Sequence, residues 1–261
     1  KEMIAVRIAI ITGASSGMGR AFACQISRLY KNLDELWVVA RRTERLKELQ
    51  EQLTLPVRTF DGDLQREYIF ERVERELDRH QADVRMLVNA AGYGKMGCFA
   101  KVDIKEQSGM IDLNCKALTK MIQICLPYFS KGSRILNVAS AAAFAPQPGF
   151  AVYAASKSYV YSLSLALRTE LKSRGIFVTA VCPGPVDTEF FERSGSLPNS
   201  FKSSVKVSSK EVVKLALMDS VRKKPVSVYG YAMKSARGLT KLLPYTWITD
   251  IMGAANKISE I

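Results

Sequence analysis

The sequence predicts an α/β protein in which helices cover both faces of a doubly wound parallel sheet of about seven strands. Three observations support this fold class. Short apolar runs of strand length recur along the chain, segments of helical length separate them, and the first run ends in a glycine-rich turn, Thr12–Gly19. Strands and helices that alternate in this way form right-handed βαβ units, which make the sheet parallel.

The first half of the chain contains four apolar runs that we expect to be buried strands: Arg7–Thr12, Leu36–Ala40, Val57–Phe60 and Val84–Ala90. A strand buried on both faces has a continuous apolar run instead of an alternating pattern. Helices are expected between these strands, at Gly17–Tyr30, Thr43–Leu53 and near Gln65–Arg79, and the second of them is charged and amphipathic.

The second half continues the alternation, with three further expected strands: Arg134–Ala139, Phe177–Cys182 and Val226–Tyr229. Two long helices are expected, at Gln107–Phe129 and Val152–Ser173. The stretch Ser194–Ser209 is rich in Ser, Pro, Asn and Lys, which favours either a loop beside the ligand site or a plain surface connection. The sequence contains no repeat or linker that divides it. We therefore expect one domain over 1–261, with a substrate loop at 189–210 and a helical C-terminal extension at 231–261.

Composition and charge limit the function classes. The chain has 261 residues, of which 48% are hydrophobic, and a formal net charge of +13. This charge fits a solvated basic surface, attraction to an anionic cofactor or carboxylated substrate, or binding to nucleic acid or a membrane. Because the basic residues are spread along the chain and form no basic arm, no nucleic-acid partner is expected.

The cysteine and histidine content predicts a cytoplasmic protein without a metal centre. The five cysteines form no Cys-x-x-Cys pair, which is typical of reduced thiols. We expect neither a signal peptide nor a membrane-spanning segment, since the given sequence starts with charged residues and contains no run of about 18 apolar residues. The single histidine, His80, lies in a charged segment, so histidine-dependent triads and histidine-rich metal sites are not expected.

The glycine-rich turn after the first strand, TGASSGMG, predicts a Rossmann-type dinucleotide site. Glycines allow a sharp turn and a close approach of the backbone to a pyrophosphate, and the following helix offers free N–H groups. The expected contacts come from five residues of this turn: Gly13, Ser15, Ser16, Gly17 and Met18.

The end of the second strand predicts that the cofactor is NADP(H). An acidic residue at this position would hold the 2′-hydroxyl of NAD(H), whereas arginine suits a 2′-phosphate. Here the chain has Arg41 and Arg42 and no acid. The alternative is a charged helix surface, because Arg45 and Lys47 follow.

Further motifs follow in a fixed order: Asp63-Leu64, NAAG at Asn89–Gly92, Asn114, Ser140, YAASK at Tyr153–Lys157, and PGPVDT at Pro183–Thr188. Together with the glycine turn they resemble the short-chain dehydrogenase/reductase family, from the first strand to about Thr188.

The resemblance implies a role for each motif. Asp63 and Leu64 would flank the adenine, and further cofactor contacts would come from Asn89, Ala90, Gly92, Pro183, Gly184, Val186 and Thr188. Ser140, Tyr153 and Lys157 would perform the chemistry and, in the case of Tyr153 and Lys157, also contact the cofactor. Asn114 would support a water that links Lys157 to solvent.

The spacing of Tyr153 and Lys157 supplies an independent physical reason for this role. Residues four apart lie on one face of a helix, although such pairs are also common in ordinary surface packing. Lowering the pKa of a tyrosine from about 10 to about 7 takes about 4 kcal/mol. A unit charge about 4 Å away at an effective dielectric of about 20 supplies about that much. We therefore expect Lys157 to favour the phenolate of Tyr153 and Ser140 to donate a hydrogen bond to the substrate oxygen.

The C-terminal segment departs from the family pattern. It lacks the Asp-Gly-Gly segment common in acyl-carrier-protein reductases, and it places Lys234, Arg237 and Lys241 among apolar residues. This pattern fits a lid over the substrate pocket, a dimer contact, a membrane-surface foot, or a helix packed on the edge of the core. The expected assembly is a homo-oligomer, either dimer or tetramer.

The predicted pocket walls are apolar: Tyr93, Met96, Ala141–Ala145, Pro146, Pro148, Phe150, Phe190 and Phe191. These walls favour a bulky lipophilic alcohol or ketone, such as a steroid or bile acid, and a hydroxysteroid dehydrogenase-like enzyme. The alternatives are a 3-oxoacyl thioester reductase and a non-catalytic NADPH-binding sensor.

Overall fold

The computed structural model describes residues 5–190, 194, 207–240 and 242–255. Most of the predicted loop at 194–209, together with Lys241 and the last residues of the chain, therefore lies outside the described residues.

The centre of the protein is a parallel sheet of seven strands. They are β1 (Arg7–Thr12), β2 (Glu35–Ala40), β3 (Val57–Asp61), β4 (Asp83–Asn89), β5 (Arg134–Val138), β6 (Phe177–Val181) and β9 (Val226–Ser227). The seven predicted strands are confirmed, and the last is two residues shorter than the predicted Val226–Tyr229.

The strand order in this sheet is β3-β2-β1-β4-β5-β6-β9. The direction of winding reverses between β1 and β4. Because the flanking helices lie on opposite faces at this point, a crevice forms beyond the carboxyl ends of the two strands, where ligands bind in such sheets.

Helices cover both faces of this sheet, and each face has its own hydrophobic core. In chain order they are α1 (Gly17–Leu29), α2 (Thr43–Gln52), α3 (Glu67–Arg79), α4 (Ile104–Ile111), α5 (Leu118–Cys125), α6 (Ala151–Glu170) and α7 (Ser209–Val221). The doubly wound fold class predicted from the sequence is thus confirmed.

The predicted helix Gln107–Phe129 is not uniform. It begins earlier, at Ile104, and a π-helical turn, Asp112–Ala117, separates α4 from α5. A short 3₁₀ turn, Leu126–Tyr128, ends it, with Pro127 inside the turn. A π turn is a local widening that recurs at functional sites, and a periodicity of 3.6 residues does not predict it.

A two-stranded ladder frames the predicted substrate loop at 189–210. It pairs β7 (Val186–Asp187) with β8 (Val207–Ser208), and α7 follows directly. The hydroxyl of Ser208 accepts a hydrogen bond from the backbone N–H of Lys210 and so caps α7. The last residues of the predicted loop are therefore helical.

The C-terminal tail, as far as the structure describes it, forms two helices, α8 (Tyr231–Leu239) and α9 (Tyr245–Ala255). The predicted helical extension is confirmed over these residues. The tail contacts the protein on one side, where Ile248 is buried, and leaves Leu242, Trp247 and Ile251 exposed on the other. Within the described ranges, no helix is long and apolar enough to cross a membrane.

Candidate active site

A cavity of about 1140 Å³ lies at the carboxyl ends of the parallel strands. It is lined by every residue that the sequence predicted for cofactor binding except Asn89, and by Ser140, Tyr153 and Lys157. One end of this cavity is formed by the turns that directly follow β1, β2 and β4. The other end is formed by Met96 and Cys98 in the loop after β4, the segment between β5 and α6, Phe190, and the tail. We call the second end the substrate half.

The glycine turn between β1 and α1 is closely packed against the loop that follows β4. Gly13 has φ +71°, and a Cβ there would lie 2.8 Å from Ala91 Cα. Gly17 has φ +52° and faces the side chain of Thr188. A side chain at either position would therefore strain the backbone or fill the space in which a phosphate can approach it.

The first turn of α1 is suited to an anion. It contains no acidic residue, and the Ser16 side chain does not cap it. Two backbone N–H groups after β4, those of Ala90 and Ala91, donate to Thr12 Oγ1 at 3.1 and 3.2 Å. These bonds fix the loop against the turn. The N-terminus of α1, which is the positive end of the helix dipole, is directed at the cavity.

The end of β2 presents Arg42 within a network of hydrogen bonds. Its guanidinium donates to Ser16 Oγ at 2.6 Å, to Ser15 Oγ at 3.2 and 3.3 Å, and to Glu189 Oε2 at 2.8 Å. Arg45 donates to the other carboxylate oxygen of Glu189. In the sequence, Arg45 supports only the alternative of a charged helix surface. No local pattern indicates Glu189, because this contact joins segments about 145 residues apart.

The two predicted asparagines lie behind the cavity wall. Asn89 does not line the cavity; its side-chain amide donates to Asn137 Oδ1 at 2.9 Å inside the sheet. Asn114, in the π turn, donates to the backbone carbonyl of Tyr93 and to Ser156 Oγ, both at 2.9 Å. It also accepts from the Tyr93 N–H at 3.0 Å. The π turn thus directs Asn114 toward the loop after β4, while its link to Lys157 through water stays a prediction.

Tyr153 lies at the boundary between the two ends of the cavity. Its ring stacks on Phe150, with ring centroids 4.2 Å apart, and contacts Phe190 at 5.4 Å. A Cβ at Gly94 would collide with both Phe150 and Tyr153, at 2.7 to 2.8 Å. The ring of Tyr153 is therefore closely packed against both aromatic neighbours.

Lys157 follows one turn later on α6, and it is buried. Its ammonium donates to the backbone carbonyl of Val138 at 2.9 Å and lies 5.7 Å from the centroid of the Tyr153 ring. Next to it, a Cβ at Gly92 would lie 3.2 Å from Lys157 Nζ and 2.8 Å from Asn114 Oδ1. The amide and the ammonium therefore border the same small space.

The pKa of Tyr153 differs from the lowered value expected from the sequence. Burial raises the pKa of Tyr153 to about 12, and the hydrogen bond with the Ser140 hydroxyl opposes this only in part. Burial also lowers the pKa of Lys157 to about 8. The lysine does not bring the tyrosine pKa toward 7 here, since its ammonium is directed at Val138 and both groups are removed from water.

The tyrosine is therefore a protonated phenol at neutral pH, next to an ammonium that can lose its charge near pH 8. Ser140 lies at the start of a 3₁₀ turn, where its Oγ also accepts from the N–H of Ala142 at 3.1 Å. Such a phenol can donate a proton to an oxyanion, and the serine hydroxyl can donate a hydrogen bond to the same atom.

The substrate half is mostly apolar. Its lining combines the loop after β4, the segment between β5 and α6, Phe190, and the tail: Met96, Cys98, Ala141, Phe144, Ala145, Gln147, Pro148, Phe150, Met233, Ala236, Thr240, Ile248 and Met252. Of the predicted walls, Ala143 and Pro146 do not line the cavity, and Phe191 lies outside the described residues. The tail residues of this set favour the predicted lid among the open uses of that segment.

The described residues contain no cluster of three or more His, Cys, Asp or Glu side chains that could hold a metal ion.

Comparisons with known proteins agree with this geometry. The family model for short chain dehydrogenases matches residues 7–197. An NADP-dependent 3-hydroxy acid dehydrogenase of Salmonella typhi is 34% identical over 187 residues, which cover 70% of this chain and 74% of that protein.

Two solved structures are similar over nearly the whole chain. A short-chain dehydrogenase from Sphingobium yanoikuyae in complex with NADPH matches with a TM-score of 0.76 and 30% identity, covering 92% of this chain and 97% of that one. A bulky-bulky ketone specific alcohol dehydrogenase from Comamonas testosteroni matches with a TM-score of 0.71 and 27% identity, covering 91% and 94%. With the family match over most of its length, the chain belongs to the short-chain dehydrogenase/reductase family and is an oxidoreductase that acts on alcohol or carbonyl groups with a nicotinamide cofactor.

Proposed function

We propose that this protein interconverts a bulky, largely apolar ketone and its secondary alcohol, with NADP(H) as the preferred cofactor. One observation carries the proposal. The buried phenol of Tyr153 lies in a cavity that has a glycine turn and arginines at one end and an apolar wall at the other.

The residues that line the cavity fit a nicotinamide dinucleotide with a 2′-phosphate. The glycine turn and the uncapped start of α1 would hold the pyrophosphate, Asp63 and Leu64 would flank the adenine, and Ala90 and Gly92 would line the adjoining ribose. The nicotinamide end would be bordered by residues of the PGPVDT motif: Pro183, Gly184, Val186 and Thr188. Asn89 would act only indirectly, by supporting the strand end behind this wall.

The preference for NADP(H) rests on the surroundings of Arg42. A guanidinium that already bonds two serine hydroxyls and an anion is arranged for a phosphate, whereas an NAD(H) site would have an acid at the end of β2. Arg41 also lines the cavity. The Sphingobium yanoikuyae relative, which binds NADPH, supports the same choice.

The chain's own residues would handle the proton. The nicotinamide, when bound, supplies or accepts a hydride at the carbonyl carbon of the substrate. Tyr153 donates its phenolic proton to the carbonyl oxygen as this oxygen gains charge, and Ser140 donates a hydrogen bond to the same oxygen. The ammonium of Lys157 lies 5.7 Å from the centroid of the Tyr153 ring and, while charged, favours the phenolate left behind. Asn114 fixes the loop that carries Tyr93 and so positions the wall beside Lys157.

The proposed substrate class rests on the apolar lining of the substrate half. Apart from Lys157, whose ammonium donates to the Val138 carbonyl, no described residue that lines the substrate half carries a positive charge, so a substrate carboxylate would find no free ion-pair partner among them. Aromatic and aliphatic side chains instead match a bulky hydrophobic ketone such as a steroid. This agrees with the specificity of the Comamonas testosteroni relative and differs from that of the 3-hydroxy acid dehydrogenase.

The test is a panel of substrates followed by NADPH absorbance. The panel contains a steroid ketone, a small ketone, a 3-oxo acid and a 3-oxoacyl thioester, each with NADPH and with NADH. We expect the highest kcat/KM for the steroid ketone with NADPH. A higher value for the 3-oxo acid or the thioester would overturn the substrate class, equal use of NADH would overturn the cofactor preference, and turnover of no compound in either direction would favour a non-catalytic sensor.

A further inference from the structure

The carboxylate of Glu189 binds two arginines at once at the ribose end of the cavity. Its Oε2 accepts from Arg42 at 2.8 Å, and its Oε1 accepts from Arg45. Glu189 itself lines the cavity, directly after the PGPVDT motif. The carboxylate of Glu189 therefore occupies N–H donors of Arg42 and Arg45 at the end of the cavity where the proposed function requires the 2′-phosphate of the cofactor.

The ion pair is formed at neutral pH and is exposed. The hydrogen bond from Arg42 lowers the pKa of Glu189 below its usual value, so the carboxylate is ionised. The side chains of Arg42 and Glu189 retain 43% and 38% of their accessible surface. Exposed pairs of this kind are weak and are readily exchanged for a stronger ligand.

We propose that Glu189 is an internal competitor for the 2′-phosphate of NADP(H), so that binding of this cofactor displaces the carboxylate from Arg42 and Arg45. The inference rests on the proposed preference for NADP(H). It adds Arg45 to the phosphate-binding residues and gives Glu189 a role in cofactor specificity.

The charge difference between the two anions determines the direction of the exchange. A phosphate monoester carries about −1.5 to −2 charges at neutral pH and three acceptor oxygens, whereas a carboxylate carries one charge and two oxygens. The phosphate therefore gains more from the two guanidiniums, and the displaced carboxylate returns to water at low cost because it is already partly exposed.

NAD(H) would leave the pairs in place. Its 2′-hydroxyl carries no charge, so it cannot displace a carboxylate from an arginine. Glu189 therefore weakens the binding of NADP(H) without weakening that of NAD(H). It reduces the difference in affinity between the two cofactors.

An opposite role for Glu189 makes an opposite prediction. If the carboxylate served mainly to hold Arg42 and Arg45 in position for the phosphate, its removal would weaken phosphate binding. The sign of the change on removing Glu189 therefore separates competition from positioning.

The experiment measures nucleotide binding by isothermal titration calorimetry, without turnover. The two ligands are adenosine 2′,5′-bisphosphate, which carries the 2′-phosphate, and adenosine 5′-monophosphate, which lacks it. The variant is Glu189→Gln. The control is Glu44→Gln, which removes the same charge beside Arg45 in the chain but from an exposed side chain that pairs with Lys47 at 3.0 Å.

We expect Glu189→Gln to lower the Kd of the bisphosphate by about two- to fivefold, the range of a weak ion pair. The Kd of the monophosphate and both Kd values of Glu44→Gln should stay at the parent level. An unchanged or raised Kd for the bisphosphate, or an equal gain for the monophosphate, would overturn the competition. If the parent protein itself binds both nucleotides equally, the NADP(H) preference fails instead, and the two failures are thus distinguishable.

Discussion

The ammonium group of Lys157 donates a hydrogen bond of 2.9 Å to the backbone carbonyl of Val138, at the end of β5. This bond joins the face of α6 that carries Tyr153 to the sheet. It also fixes the ammonium at 5.7 Å from the centroid of the Tyr153 ring. Burial at this place lowers the pKa of Lys157 to about 8, which brings the loss of its charge into an accessible pH range.

The first prediction concerns the pH dependence of ketone reduction. The pKa of Lys157 is lowered to about 8, so the fraction of charged lysine falls as the pH rises through 8, while Tyr153, with a pKa of about 12, stays protonated. We expect kcat/KM for NADPH, which reports groups of the free protein, to be level below pH 7 and to fall with an apparent pKa of about 8. Initial rates from pH 6 to 10 at constant ionic strength measure it, and a profile that stays level to pH 10 would contradict it.

The second prediction concerns stability. The ordinary pKa of a lysine side chain is 10.5 and that of Lys157 in the folded protein is about 8, so the unfolded chain binds more protons between these values. The parent therefore gains stability as the pH rises from about 8 to 10.5. Lys157→Met removes the cost of a buried charge. We expect it to raise the free energy of unfolding at pH 7 by about 1–3 kcal/mol. The loss of the hydrogen bond to Val138 lowers the free energy of unfolding and offsets part of this gain.

Urea unfolding at pH 7 and pH 10 measures this difference. The gain should be smaller at pH 10, where the lysine of the parent is already largely neutral. Lys116→Met, at an exposed position in the π turn, serves as the control and should change stability little. A destabilised Lys157→Met protein at pH 7 would show that the charge is compensated.

The third prediction concerns the proton donor. Tyr153→Phe keeps the ring that packs against Phe150 and Phe190 but removes the hydroxyl, so folding should be preserved. We expect a loss of kcat of at least about a hundredfold, the lower range for a general acid. The matched control is Tyr159→Phe, on the same helix, whose hydroxyl bonds Thr119 away from the cavity. A Tyr153→Phe protein with more than about a tenth of parental activity would rule out this role.

The fourth prediction concerns the cofactor phosphate. Arg42→Ala and Arg45→Ala should each raise the Kd of NADPH by about tenfold or more, because each removes a charge-assisted hydrogen bond donor. The Kd of NADH should change much less. Fluorescence titration of the reduced cofactors measures both, with the exposed Arg28→Ala as a control for net charge. If the Kd values of NADPH and NADH rise equally, the two arginines do not contact the 2′-phosphate.

The fifth prediction concerns the tail. Ile248 and Ile251 lie on the same helix, but Ile248 lines the cavity and is 8% exposed, whereas Ile251 is 64% exposed. Ile248→Ala should raise KM for a bulky ketone and leave KM for a small ketone nearly unchanged, because only the bulky one reaches the tail. Ile251→Ala should have no effect on either. If the two variants behave alike in the steady-state assay, α9 does not form part of the substrate wall.

The sequence by itself determined the features that depend on neighbouring residues. Apolar runs marked the seven strands of the sheet because a parallel strand is buried on both faces. The glycine turn after β1 and the four-residue spacing of Tyr153 and Lys157 are also local, since their geometry follows from φ angles and from the helical repeat. These patterns were sufficient to predict the fold class and the position of the cavity.

The tertiary structure decided the features that depend on residues far apart in the chain. No local pattern joins Glu189 to Arg42, 147 residues away. The pattern of the tail left several uses open, and only its packing places tail residues in the lining of the substrate half. The same holds for the direction of the Lys157 ammonium and for the burial that raises the pKa of Tyr153, both of which are set by how α6 packs on the sheet. Spacing determined which side chains share a face, but only the packing of α6 against β5 determined which atom each one contacts and how much water remains around it.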